Sequence, residues 1–297
     1  MAPEASTAGR RRGTGPMARR LIVGVLVLAL VMAGSVGGFL ASREQTRQPS
    51  IVFDTGDVGD ADGVTLTMYI TRVDVGEQTM TVEIDDAAFD GALNGPGDTL
   101  GEDIVLQTNG RRNGTVRLAK GDVFQTVLQE FALNGAITDF PFDRYTAYTS
   151  VRVLRADGSQ IPVAMNLQNV DAFFSAAPYY DAQQGWLNVD IAIDRSLPTQ
   201  VFGVFIMVLM LGLALSAALL AFFVVRTRHG IAFGAYSVMA ALLFAMVPLR
   251  NAIPGNPPIG SLIDFAAFFI AEAVISMSLI VSVVTGYRHQ MRIDRST

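Results

Sequence analysis

Hydrophobic positions fall into four long blocks, with a stretch of short alternating runs between the first block and the second. The blocks cover 21–41, 201–225, 231–249 and 262–286. A hydrocarbon core of ~30 Å takes about 20 apolar residues in helical form. Lipid offers no partner for a free backbone amide, so each block is predicted to be a transmembrane helix. Over 49–195 the period changes to two. Val64, Leu66, Met68 and Ile70 alternate with Thr65, Thr67, Tyr69 and Thr71, and Met80, Val82 and Ile84 alternate with Thr81, Glu83 and Asp85. That period marks half-buried strands. Further strands are expected at 115–119, 123–131, 145–154, 161–167 and 186–193, separated by Gly, Asp and Asn clusters at 92–98, 109–114 and 156–159. Many short strands with turn signals predict an antiparallel sandwich. The expected fold class is a membrane α-helical bundle of four transmembrane helices plus an extracytoplasmic all-β sandwich domain.

Charge sets the expected orientation. Arg10, Arg11, Arg12, Arg19 and Arg20 lie in the basic N-terminus, 1–20. Arg226 and Arg228 lie between the second and third blocks, and Arg288, Arg292 and Arg295 lie in the tail, 287–297. Four alternating helices put all three groups on one side, which the positive-inside rule assigns to the cytoplasm. The 49–195 domain and the Pro/Gly-rich loop 250–261 then lie outside a multi-pass plasma-membrane protein with both termini cytoplasmic. A cleaved signal peptide is the alternative for 21–41. However, the block exceeds the usual h-region, and Phe39 is too large for a cleavage site, so a retained signal anchor is expected.

Composition narrows the chemistry. The chain has no cysteine, which excludes disulfides and thiolate metal sites. Between Pro49 and Gln200 there are 22 Asp or Glu against 9 Lys or Arg, a difference of −13. Such a surface repels nucleic acid. The expected partners are the lipid bilayer and either an envelope protein or a second copy of the chain.

Four motifs hold candidate residues. Asp57, Asp60 and Asp62 form an acidic, glycine-containing run, the only metal candidates. Val58 and Tyr69 occupy positions where a calcium loop needs oxygen ligands, so a solvated turn is expected there. Phe140, Pro141, Phe142, Asp143, Arg144 and Tyr145 form a turn entering a strand, since proline is excluded from a central strand. This turn is expected to couple the outer domain to the bundle. Leu249 to Gly260 contains three prolines and two glycines and makes a stiff outer turn. Asp264 and Glu272 are carboxylates within the last apolar block, where ionisable groups need a partner or water. Asp264 stands near Arg250 and the outer end. Glu272 lies deeper, as a proton or cation site, an interhelical contact or a protonated structural group. Gly34/Gly38, Gly212/Ser216 and Gly230/Gly234 have the spacing that lets helices approach closely.

Two resemblances rest on these residues. Phe140-Pro141-Phe142-Asp143 resembles the loop at the base of pentameric ligand-gated channel domains, which meets the transmembrane helices. This chain departs from that family in lacking the cysteine pair, in placing a helix before the β-domain and in placing three after it. Only a coupling loop is implied, without channel activity. The 249–260 turn, the four-block layout and the Phe-Pro-Phe-Asp-Arg-Tyr segment together resemble an uncharacterised actinobacterial membrane family, a domain of unknown function. That resemblance implies no activity, substrate or cofactor.

Catalysis has little support. His229 and His289 both fall on the cytoplasmic side, so an outer Ser or Thr has no histidine base. No cofactor fingerprint is present. The leading expectation is a non-enzymatic binding or assembly module of the cell envelope. The alternatives are a small transporter or channel component with a polar path at Glu272, and an outer-face hydrolase using paired carboxylates.

Overall fold

The computed structural model describes residues 37, 40, 51–54, 62–112, 114–183, 186–227, 233–255 and 257–295, with backbone alone for 51–54 and 180–183. Apart from residues 37 and 40, the block 21–41 lies outside the described residues. So do the basic N-terminus, Asp57, Asp60, Arg228, His229 and Gly230.

Eleven strands among the described residues make up the β-domain. They are β1 (Ile51–Asp54), β2 (Val64–Asp74), β3 (Thr79–Phe89), β4 (Ile104–Thr108), β5 (Thr115–Leu118) and β6 (Val127–Gly135), followed by β7 (Arg144–Arg155), β8 (Gln160–Ile161), β9 (Val163–Asn169), β10 (Phe174–Gln183) and β11 (Trp186–Arg195). The hydrogen-bonded order is β1-β9-β2-β3-β6-β7-β11-β10, and β4 joins both β5 and β7. β2 runs parallel to β9, while β3 and β11 pair antiparallel with their neighbours. β6 is shared: residues 127–132 pair with β3, and 133–135 pair with β7. A strand that changes partners in this way turns the sheet over onto itself. The strands therefore form one continuous path, rather than the two separate sheets of a simple sandwich.

One face of that path makes the core. Val64, Leu66, Met68 and Ile70 of β2 are buried with Met80, Val82 and Ile84 of β3. Phe131 and Leu133 of β6 and Leu187, Val189, Ile191 and Ile193 of β11 close the same cluster. The outward residues are mostly polar, with Leu128, Tyr148 and Tyr179 as exposed exceptions.

β11 ends at Arg195, and a single residue, Ser196, separates it from helix α1 (Leu197–Thr227). Helix α2 spans Phe233–Asn251, and helix α3 spans Phe269–Asp294 after one π-turn at Asp264–Phe268. All three helices are long and apolar enough to cross a membrane. A fourth span is not among the described residues. The helices outrun the apolar blocks: α1 begins at Leu197, α2 takes in Arg250 and Asn251, and α3 continues to Asp294 through the tail expected to be cytoplasmic. Hydropathy marks where lipid ends, whereas i→i−4 bonding continues into water. At 1.5 Å per residue the 31 residues of α1 reach about 46 Å, well beyond a ~30 Å hydrocarbon core.

Small side chains line the helix contacts. Gly203, Ala214, Ala217 and Ala221 of α1 are buried, as are Ala271, Ser278, Ser282 and Gly286 of α3. Close approach without a hydrophobic driving force favours such residues. Gly212, Ser216 and Gly234 do not serve this contact. They face outward, and a Cβ on Gly212 or Gly234 would touch no described atom.

The face assignment of β6 is directly testable. Phe131→Ala should cost about 3–5 kcal/mol, the range for emptying a buried aromatic site. Leu128→Ala, at a side chain 62% exposed, should stay within about 0.5 kcal/mol. Denaturant titration of the detergent-solubilised protein measures both, and equal losses would show that the faces are wrongly assigned.

Candidate functional site

The densest polar chemistry lies where the sheet meets the helices. Arg195, the last residue of β11, and Asp143, just before β7, are both fully buried and form an ion pair. Arg195 Nε donates to Asp143 Oδ1 at 3.1 Å and to Oδ2 at 3.0 Å. The Tyr145 hydroxyl donates to Asp143 Oδ2 at 2.6 Å. Burial pushes the Tyr145 hydroxyl pKa up, and the Asp143 hydrogen bond and charge add to the shift, while Arg195 opposes it. The phenol therefore stays protonated and able to donate. The guanidinium lies against Phe174, 4.3 Å from the ring centre, and Phe140, 5.0 Å away. Its Nη1 and Nη2 have no hydrogen-bond partner among the described residues.

The Phe140–Tyr145 turn meets the helices through its first two residues. Phe140 is buried and clusters with Ile206, Met210, Ile253 and Ile263 of the helical part. The Phe140–Pro141 peptide is cis. A Cβ on Gly203 of α1 would sit 2.9 Å from Pro141 Cβ, so the helix approaches this turn only because residue 203 is glycine. Phe142 is 52% exposed and Arg144 points outward to Asp194 at 3.5 Å. Phe140, Pro141, Asp143 and Tyr145 thus come together in the junction, while Phe142 and Arg144 do not join them.

The linker residue is fixed on several sides. Ser196 Oγ donates to the Ala172 carbonyl at 3.0 Å, and the Ser196 amide donates to the Phe173 carbonyl at 2.9 Å. Gln200 Nε2 donates to the Arg195 carbonyl at 3.0 Å. The segment 170–174 is thereby tied to the strand–helix joint.

The 250–260 turn is held by a second ion pair, between the partly buried Arg250 and the buried Asp264. Arg250 Nε and Nη2 donate to Asp264 Oδ1 and Oδ2 at 2.9 and 3.0 Å. Nη2 also donates to the carbonyls of Pro257 and Pro258 at 2.9 and 3.0 Å. The Gly260 amide donates to Asp264 Oδ2 at 2.8 Å. Gly255 in this turn has φ +78° and lies against Arg195: a Cβ there would collide with Nη1. Both ion pairs thus brace one loop.

The other candidates sit apart. Glu272 is in the first turn of α3, partly exposed, and makes no hydrogen bond to a described residue. Asp62 Oδ2 is bound by Arg155 Nη2 at 2.6 Å, and Arg155 Nε also binds Glu102 at 2.7 Å. Asp62 Oδ1 accepts the Ala92 amide at 2.7 Å. Among the described residues no three His, Asp or Glu side chains converge to hold a metal.

Sequence reasoning missed Arg195, Phe174, Gly203 and Gly255 as junction residues. Arg195 had a readable signal: it is the last cation before a long apolar block, two positions past the expected strand end. A cation at that depth requires an anion, and Asp143 stands at the start of a strand.

Two family models match the chain. A domain of unknown function (DUF4436) matches residues 54–193. A second domain of unknown function (DUF8686) matches residues 195–289. The two meet at the strand–helix joint beside Arg195. Neither match links the chain to ligand-gated channels or to one group of organisms. The curated proteins give no match.

The Arg195–Asp143 pair makes a measurable claim. Asp143→Ala leaves a buried guanidinium uncompensated and should cost about 3–5 kcal/mol. Asp143→Leu combined with Arg195→Met removes both charges and should fall short of the sum of the single losses by about 1–3 kcal/mol. Strict additivity in such a double-mutant cycle would mean that the two side chains do not support each other.

Proposed function

We propose that this chain is a non-enzymatic module of the cell envelope that holds an acidic β-domain outside the cytoplasm, in a fixed pose on a helical anchor, for binding a partner or a second copy of itself. In this reading block 21–41 is a fourth helix retained as a signal anchor. The protein is then a multi-pass plasma-membrane protein with both termini cytoplasmic. The observation that carries the proposal is the joint: β11 passes into α1 through one residue, braced by the buried Arg195–Asp143 pair and by Phe140 inside the helical cluster. A loosely tethered domain has no need for that bracing. Contact surface is offered by β10, which ends the strand path among the described residues and carries Tyr179 at 75% exposure. An open edge of this kind accepts an added strand.

The chain is free of cysteine, so single cysteines report sidedness cleanly. Asn109→Cys should react with a membrane-impermeant maleimide in intact cells, and Tyr287→Cys only after permeabilisation. A photoreactive phenylalanine analogue replacing Tyr179 should then give discrete crosslinked species in intact cells. Labelling of Asn109→Cys only after permeabilisation inverts the orientation, and an absence of adducts at Tyr179, Leu128 and Tyr148 alike removes the binding role.

A second reading is a small transporter or channel component. It is supported by Glu272, which lies four residues beyond the π-turn at Asp264–Phe268 without a hydrogen-bond partner among the described residues. π-Turns inside helices cluster at functional positions, and an intramembrane carboxylate is a natural proton or cation site. Reconstituted vesicles should then show proton or cation flux that Glu272→Gln abolishes. Equal flux, or none, in both forms ends this reading.

A further inference from the structure

A cleft of about 480 Å³ opens at the same joint. Its walls are the end of β2 and the following turn, residues 71–76, and the segment 170–174, and its floor includes Gly255 of the outer turn. Gly255 lies only four residues past the end of α2, so the cleft sits at the level where the helices leave the lipid. Two apolar side chains on its rim, Val170 and Phe173, are each 48% exposed. Apolar rims at that height suit contact with acyl chains rather than water.

The charges inside are mixed. Arg72 is exposed, and its side chain makes no ion pair or hydrogen bond to a described residue. Asp74 Oδ1 accepts the Glu77 amide at 3.0 Å, and its Oδ2 has no partner among the described residues. Asp171 accepts the Phe173 amide at 2.8 Å and the Val73 amide at 2.9 Å, which fixes its carboxylate in the wall. A purely anionic ligand would meet two carboxylates and one guanidinium. A purely cationic one would leave Arg72 unused. A zwitterion with phosphate and ammonium a few bonds apart satisfies both signs. The acceptor oxygens favour an ammonium that carries N–H donors over a quaternary one, which has none.

From these observations we infer that the cleft binds the headgroup of an ethanolamine phospholipid from the outer leaflet, with its phosphate on Arg72 and its ammonium on Asp74 and Asp171. This inference rests on the membrane placement proposed above, but not on the partner-binding role.

Native mass spectrometry of the full chain in mild detergent tests it, with ethanolamine, choline and glycerol phospholipids of identical acyl chains as probes. The ethanolamine lipid should bind about tenfold more tightly than the other two, the factor carried by one charge-assisted hydrogen bond. Arg72→Gln and Asp74→Asn should each remove that preference, while Arg117→Gln, at an exposed position on β5, should keep it. Glycerophosphoethanolamine should compete and inorganic phosphate should not. Equal binding of the three lipids, a preference that survives both substitutions, or displacement by inorganic phosphate would overturn the inference. The maleimide sidedness test is independent of all three outcomes, so failure here and failure of the membrane placement are separable.

Discussion

The joint depends on one fully buried charge pair, Arg195 with Asp143. Removing two ions from water costs several kcal/mol each, and only good geometry and further hydrogen bonds offset this. Asp143 meets that condition: it accepts from Arg195 on both oxygens and from the Tyr145 hydroxyl. Arg195 is compensated differently. One nitrogen faces the carboxylate, and the ring faces of Phe174 and Phe140 receive the rest of the cation. The two aromatic residues come from different places, one beside the linker and one from the turn that enters the bundle. Displacing either half of the molecule therefore exposes or strands a charge.

The helical side reaches the same point by close packing. Gly203 lets α1 approach Pro141, and Gly255 lets the outer turn approach the Arg195 guanidinium. The outer turn is itself stiffened by Arg250, which gathers Asp264 and the carbonyls of Pro257 and Pro258. A buried backbone carbonyl needs a donor, and here a single arginine serves two of them. The two ion pairs thus act in series: Arg250–Asp264 shapes the turn, and the turn covers Arg195.

Much of this was legible in the residue pattern, and the gaps have physical causes. Alternation located β2 and β3 because one face of each is apolar and the other polar, and the further expected strands fall on β5, β7, β8–β9, β11 and the start of β6, although residues 123–126 are not strand. β10 escaped notice because Ala176, Ala177 and Pro178 are weak strand formers, and such a segment is tolerated at the end of the strand path. β4 reads Ile-Val-Leu-Gln-Thr, three apolar residues followed by two polar ones, so no alternation registers although its side chains alternate in burial. The Phe140–Tyr145 segment stood out by its aromatic and proline content, but which of its residues turn inward depends on a partner fifty-two positions away. Small-residue spacing indicated Gly212 and Ser216, yet the buried helix contact uses Ala214, Ala217 and Ala221. Spacing alone does not say which stripe of an all-apolar helix meets its neighbour, because every stripe is apolar.

This placement limits how any signal crosses the joint. A flexible tether would let the β-domain respond to a partner without consequence for the helices. Here Phe140 belongs to the helical cluster while Tyr145, five residues on, belongs to the β-domain core. The segment between them carries Asp143, whose charge is neutralised by the residue that starts the descent into α1. A tilt of the β-domain must then either carry α1 with it as one body or separate Asp143 from Arg195. The second course costs about 3–5 kcal/mol, more than most single contacts on an exposed surface return. Rigid-body transmission is the cheaper course, and it runs through α1 to its small-residue contact with α3, the helix that follows the Asp264 π-turn and holds Glu272.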